Sequence, residues 1–151
     1  MSKIQWNDEL NTGIADIDRQ HFKILEFTNR LDDVKTEPSK IRPILMELRT
    51  YLLFHFRFEE SLLEQANYPF VKAHKRVHEL IIKRLIELQN RLKAGDDIES
   101  GLKSFLNNWF NHHLRNDDAA YVPTLQAYLK TTSKTKSSLE WLKKLIRNIV
   151  K

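Results

Sequence analysis

Between residues 40 and 66, Ile41, Ile44, Leu45, Leu48, Tyr51, Leu52, Leu62, Leu63 and Ala66 fall on one face of a helix, and His55 and Glu59 share that face. Helical spacing reserves those two positions for apolar side chains. The anomaly recurs over 70–93, where His74 and His78 sit among Phe70, Val77, Ile81, Leu85, Leu88 and Leu92. It recurs over 18–34, where His21 precedes Ile24, Leu25, Thr28 and Leu31, and over 97–129, where His113 lies in the stripe of Leu102, Phe105, Leu106, Trp109 and Phe110. His112 falls at the edge of that stripe. Residues at i and i+4 share a helical face one turn apart. Burying such groups without a partner costs about 1–3 kcal/mol each. A lone histidine on an apolar face is ordinarily a satisfied core residue. Five histidines and two carboxylates converging from four helices need a common partner, and a metal centre is one.

Four amphipathic stretches of this length predict an all-α fold. The chain has 151 residues with only 3 Gly and 4 Pro, enough for one domain with a core and too few breakers for a sheet-rich one. Short breaks at Lys35–Lys40 (with Pro38), Asn67-Tyr68-Pro69 and Ala94–Asp97 (with Gly95) imply an up-down-up-down four-helix bundle. An N-terminal arm over 1–17, with Trp6 as its packing anchor, leads to a helix capped by Asp18. Residues 131–137 read as a linker. From Ser138 a short basic amphipathic helix follows, with Leu139, Leu142, Leu145, Ile146 and Ile149 on its apolar face. The predicted division is thus a bundle over 1–130 and a linker plus helix over 131–151.

The net charge of +5 resides in the tail, because residues 131–151 hold Lys134, Lys136, Lys143, Lys144, Arg147 and Lys151 against Glu140 alone. The remaining body is balanced, so the basic character implies no nucleic-acid partner. The tail helix has three readings: docking on the bundle, docking on a protein partner, or lying on a membrane surface with Trp141 and its Lys/Arg face. No apolar run reaches the ~18 residues of a membrane span, and MSKIQWNDEL lacks a signal-peptide apolar segment, which reads as a soluble, cytoplasmic chain.

With no cysteine, disulfides, iron–sulfur clusters and thiolate zinc sites are excluded, and any metal rests on His, carboxylate and water. Imidazole and carboxylate suit iron, zinc, copper or manganese. Five imidazoles and two carboxylates are too many for one tetrahedral zinc but suit two metals sharing carboxylate bridges. Ferritin-type oxidases use Glu-x-x-His on two helices; no Glu here is followed by His three residues later. His-Glu-x-x-His, a nucleophile elbow and a Gly-rich phosphate loop are also missing.

Trp6, Thr12-Gly13-Ile14, Ile17-Asp18-Arg19-Gln20-His21, His55-Phe56-Arg57-Phe58-Glu59-Glu60, Tyr68-Pro69, His74-x-x-x-His78, Trp109, His113, Asp118 and Tyr121 stand in this order. In these residues, over about 4–125, the chain resembles the bacteriohemerythrins, hemerythrin-like di-iron proteins. The resemblance implies two non-heme irons joined by an oxo or hydroxo bridge and by the carboxylates of Glu59 and Asp118. His74, His78 and His113 would bind a six-coordinate iron, and His21 and His55 the iron with an open position. Dioxygen would be the partner, bound reversibly for storage, delivery or sensing, so the chain is expected not to be an enzyme. The alternatives are redox chemistry on peroxide or nitric oxide, or a sensor signalling through the C-terminal helix. Trp109 and Phe110 would line the oxygen pocket. Phe110 departs from the Leu common in the family and is expected to narrow gas entry.

The doublet Asp117-Asp118 poses a conflict. In an α-helix, i+5 lies about 140° from His113, so helix geometry favours Asp117. Family spacing selects Asp118, which requires a local distortion of the helix.

Overall fold

The computed structural model describes residues 4–133 and 138–150, apart from the side chains of Phe110, Ser133, Val150 and residues 138–142. The expectations for the side chains of Phe110, Leu139, Trp141 and Leu142, and for residues 134–137 of the linker, lie outside the described residues.

The described chain is all-helical: α1 (Ala15–Asp33), α2 (Pro38–Gln65), α3 (Val71–Lys93), α4 (Glu99–Asn108), a π-helical segment (Trp109–Asp118) running without a break into α5 (Ala119–Ser133), and α6 (Ser138–Val150). The fourth helix of the bundle is therefore composite, and its last part extends into the stretch read from sequence as linker.

Helix ends follow local chemistry. α1 starts before Asp18, the residue expected to cap it. Asp18 lies in the first turn, and its carboxylate accepts from Thr12 N, Thr12 Oγ1 and Gly13 N at 2.8, 2.8 and 3.2 Å. It thereby satisfies the incoming loop rather than the helix N-terminus. Pro38, expected in a turn, takes the first position of α2, where its missing N–H removes no helical bond. α2 ends with Asn67 at φ 54, Tyr68 N donating to Leu63 O at 3.0 Å and Asn67 N to Glu64 O at 3.1 Å. α3 ends in the same double bond pattern about Gly95 at φ 91. These left-handed caps reverse the chain in few residues.

Gly13 also has a positive φ, 78°, and a Cβ there would lie 2.8 Å from Gln126 Nε2, the group that donates to Thr12 O. Gly13→Ala is expected to lose about 1–2 kcal/mol through backbone strain and a broken loop-to-α5 hydrogen bond. Urea titration of the two proteins measures this.

Two apolar clusters fill the interior. One holds Ile24, Leu31, Leu48, Leu52, Leu85, Leu102 and Trp109; the other holds Ile17, Phe58, Leu62, Tyr68, Tyr121, Leu125 and Leu145. α1 and α3 run from the second cluster's end toward the first, while α2 and the composite helix run the opposite way, which is the up-down-up-down order. In each of the four bundle helices the inward histidines and acids fall between the two clusters. The arm is fixed by reciprocal bonds between Ile4 and Asn29, both 3.0 Å, and by Trp6 packing edge-on to Phe22 at 5.9 Å. Phe70, placed on the buried face by sequence spacing, is 65% exposed: it precedes the first turn of α3, so helical projection does not apply to it. α6 lays Leu145 into the second cluster, with Ile146 and Ile149 packed beside it. Of the three readings of the tail helix, docking on the bundle is the arrangement seen. No helix of the described residues is long and apolar enough to cross a membrane.

Candidate metal centre

His21, His55, Glu59, His74, His78, His113 and Asp118 are all buried in the polar layer, none more than 5% exposed. α1 contributes His21, α2 His55 and Glu59, α3 His74 and His78, and the π-helical segment His113 and Asp118. The distortion demanded by the Asp117-Asp118 doublet is this segment. In a π-helix the ladder runs i→i+5, which brings Asp118 round to the face of His113 one turn on. Asp118 is fully buried, while the Asp117 side chain is 39% exposed. His112 is exposed and takes no part.

The contacts sort by carboxylate oxygen. Glu59 Oε1 lies 2.7 Å from His74 Nε2 and 3.2 Å from His78 Nε2, whereas Oε2 lies 3.3 Å from His55 Nε2 and 3.8 Å from His21 Nε2. Asp118 Oδ1 lies 3.2 Å from both His74 Nε2 and His113 Nε2, and Oδ2 lies 3.2 Å from His21 Nε2. Each carboxylate thus presents one oxygen to two of His74, His78 and His113 and the other toward His21, with His55 also facing that of Glu59. Two overlapping donor sets result, one of Glu59, His74, His78, His113 and Asp118, the other of His21, His55, Glu59 and Asp118. Within each set the donor atoms lie within 4.8 Å of one another.

Several of these atoms are orphaned. His21 Nε2, His55 Nε2 and both oxygens of Asp118 are buried with no hydrogen bond. Close lone-pair donors that fail to bond one another are what a cation needs, and a cation removes the desolvation cost of leaving them unmet. The residues therefore fit a metal.

The electrostatics agree. Burial disfavours charge on His21, but Asp118 and Glu59 outweigh it and push the imidazole up to about 9. His74 is likewise penalised by burial and raised to about 10 by Asp118 and Glu59. Burial wins at His55, which is lowered despite Glu59. Burial alone would raise Glu59, yet the surrounding histidines hold it well below the carboxylate range, and Asp118 is lowered for the same reason against burial and the Glu59 charge. Without a cation, protons on His21 and His74 balance the two buried carboxylates. A cation would replace them, so binding would release protons.

Sequence spacing alone did not reveal the supporting groups. Gln20 Oε1 accepts from His55 Nδ1 at 2.7 Å, which leaves the Nε2 lone pair facing the carboxylates. Tyr121 OH donates to Glu59 Oε2 at 2.9 Å. Glu60 and Asp117 face His78 and His113. The signal for these two is the acidic doublet: Glu59-Glu60 and Asp117-Asp118 each pair an inward acid with a neighbour at the rim. Trp109, 2% exposed, packs against His113 with ring centroids 4.9 Å apart and lies 6.4 and 6.3 Å from His21 and His55.

The chain is similar to known proteins over most of its length. Residues 12–125 match the family described as the hemerythrin HHE cation binding domain. The bacteriohemerythrin of Pseudomonas aeruginosa (strain LESB58) is 42% identical over 97% of both chains, and that of Stenotrophomonas maltophilia (strain R551-3) is 40% identical over the same shares. The bacteriohemerythrin of Methylococcus capsulatus (strain ATCC 33009 / NCIMB 11132 / Bath) is 28% identical over 84% of this chain and all of its own. Two crystal structures of hemerythrin mutants superpose with TM-scores of 0.76 at 28% identity, covering 83% of this chain and 98% of theirs. The sequence resemblance ended before α6. The Pseudomonas match, over 97% of both chains, leaves no room for α6 to fall wholly outside it. On the family match and these full-length relatives, the chain belongs to the hemerythrin family.

Proposed function

We propose that the chain holds two non-heme irons and binds dioxygen reversibly between them and the apolar wall around Trp109. The observation that carries this reading is the division of Glu59 and Asp118: each turns one oxygen toward two of His74, His78 and His113 and the other toward His21, with His55 also facing Glu59. His74, His78 and His113 would hold one iron and His21 and His55 the other, with Glu59 and Asp118 shared between the two. The irons, when bound, supply the electrons and the open coordination position on which dioxygen uptake depends.

The protein's own part is positional. Gln20 fixes the tautomer of His55, and Tyr121 holds the Glu59 oxygen that faces the two-histidine position. That position has one imidazole fewer, which leaves room for a small ligand. Trp109, Phe56 and the apolar clusters on either side exclude water from it. Oxygen storage, delivery or sensing follows from reversible uptake alone.

The test is the near-UV and visible spectrum of anaerobically reduced protein, with iron quantified, before and after adding dioxygen. Two irons per chain and charge-transfer bands that appear with the gas and vanish on its removal are expected. Steady turnover of peroxide or nitric oxide with an electron donor would replace the carrier reading with an enzymatic one. Substoichiometric iron from iron-replete cells would overturn both.

A further inference from the structure

Four of the five histidines, His21, His55, His78 and His113, differ in what holds their outer nitrogens. His78 Nδ1 lies 2.9 Å from Glu60 Oε1, and His113 Nδ1 lies 3.2 Å from Asp117 Oδ2. His55 Nδ1 instead meets the neutral amide oxygen of Gln20, and His21 Nδ1 has no partner. Acidic partners are therefore found on the three-histidine side, while the two-histidine side has an amide and nothing. The Glu60 and Asp117 side chains are 23% and 39% exposed, so solvent meets part of the cost of their charge. Glu59 and Asp118 have no such relief.

We propose that Glu60 and Asp117 are positioning residues that make the three-histidine position the tighter, more electron-rich cation site, filled first and oxidised first. The inference rests on the two-cation reading above. A carboxylate accepting an imidazole N–H draws the proton outward and makes the far nitrogen a stronger donor, whereas a neutral amide fixes orientation without adding charge. Stronger donation stabilises the higher charge on the metal. The two-histidine position is left electron-poor, with its open position for the exogenous ligand. Asp117, the carboxylate that α-helical geometry would have chosen as the bridge, acts through His113 instead.

The experiment is an anaerobic Co(II) titration of the cation-free full chain, read by visible absorption, together with spectroelectrochemistry of the iron-loaded protein. Two Co(II) ions are expected to bind, in a tighter and a weaker step. Failure to bind a second ion removes the two-cation reading and with it the basis of this one. Glu60→Gln and Asp117→Asn keep an acceptor oxygen and remove the charge. Each is expected to weaken the tighter step by about 10-fold or more while moving the weaker step by less than about twofold. Both raise the iron midpoint potential. Gln20→Glu should do the reverse, tightening the weaker step and lowering the potential. If two ions bind but Glu60→Gln and Asp117→Asn leave the tighter step and the potential unmoved, or weaken both steps alike, the asymmetry does not come from these residues.

Discussion

Glu59→Ala protein purified from iron-replete cells is expected to carry less than one iron per chain and, free of metal, to be less stable than the parent by ~3–5 kcal/mol. Glu59 is the residue on which the layer converges: four histidine Nε2 atoms lie within 3.8 Å of its oxygens and Tyr121 donates to it. Removing it deprives both donor sets of a shared ligand. It also leaves Asp118 to balance the protonated histidines alone and strands the Tyr121 hydroxyl in the core. Truncating one partner of a buried charged group is costly because the remaining groups stay buried and unmet. Glu59→Gln keeps the volume and separates the two effects. Metal binding should fall as far, but the folding loss should be smaller. Iron analysis and urea unfolding of chelator-treated protein read both quantities.

The second large effect is in pH. In metal-free protein, His21 and His74 titrate at about 9 and about 10 because two buried carboxylates hold their protons, against ~6.5 when unfolded. The stability they contribute is full below about pH 6.5 and is lost as pH rises through about 9 to 10. Glu59 and Asp118 are held below their ordinary values, so their contribution is present above about pH 4.5 and is lost as pH falls. Metal-free protein should therefore be most stable between about pH 4.5 and 6.5 and lose several kcal/mol by about pH 10. Metal-loaded protein should not show the alkaline loss, because the cation takes the place of those protons. Thermal unfolding followed by circular dichroism from pH 5 to pH 10, with and without metal, checks this. Parallel curves would mean that the histidines do not carry the balancing protons.

Much of this centre was legible in the sequence because helical periodicity is a strict ruler. His21, His55, Glu59, His74, His78 and His113 each displace an apolar residue from a stripe, so their convergence follows from the 3.6-residue repeat. Asp118 was legible only through resemblance, since the ruler assumes an α-helix and the chain abandons it at Trp109. Phe70 failed for a related reason, lying where the helix has not yet begun. The outer partners were least visible. Whether Glu60 meets His78 depends on the spacing of α2 and α3, a tertiary distance with no periodic signature. The start of α1 shows a third limit: Asp18 has the composition of a cap but serves the Thr12–Gly13 loop.

The π-helical segment also bears on how this protein tolerates insertions and deletions. Passing from an α ladder to a π ladder absorbs an extra residue while the helices on either side stay in place. A chain that lost one residue between His113 and Asp118 would carry its aspartate at i+4 of an unbroken α-helix, on the same face and in the same seat. The equivalent deletion between His55 and Glu59 has no such slack and would swing the carboxylate by about 100° out of the layer. A one-residue gap in an alignment over 114–117 would then mark a change of hydrogen-bond ladder, with the ligand set intact. The same gap in α2 would mark a chain whose donor set is broken.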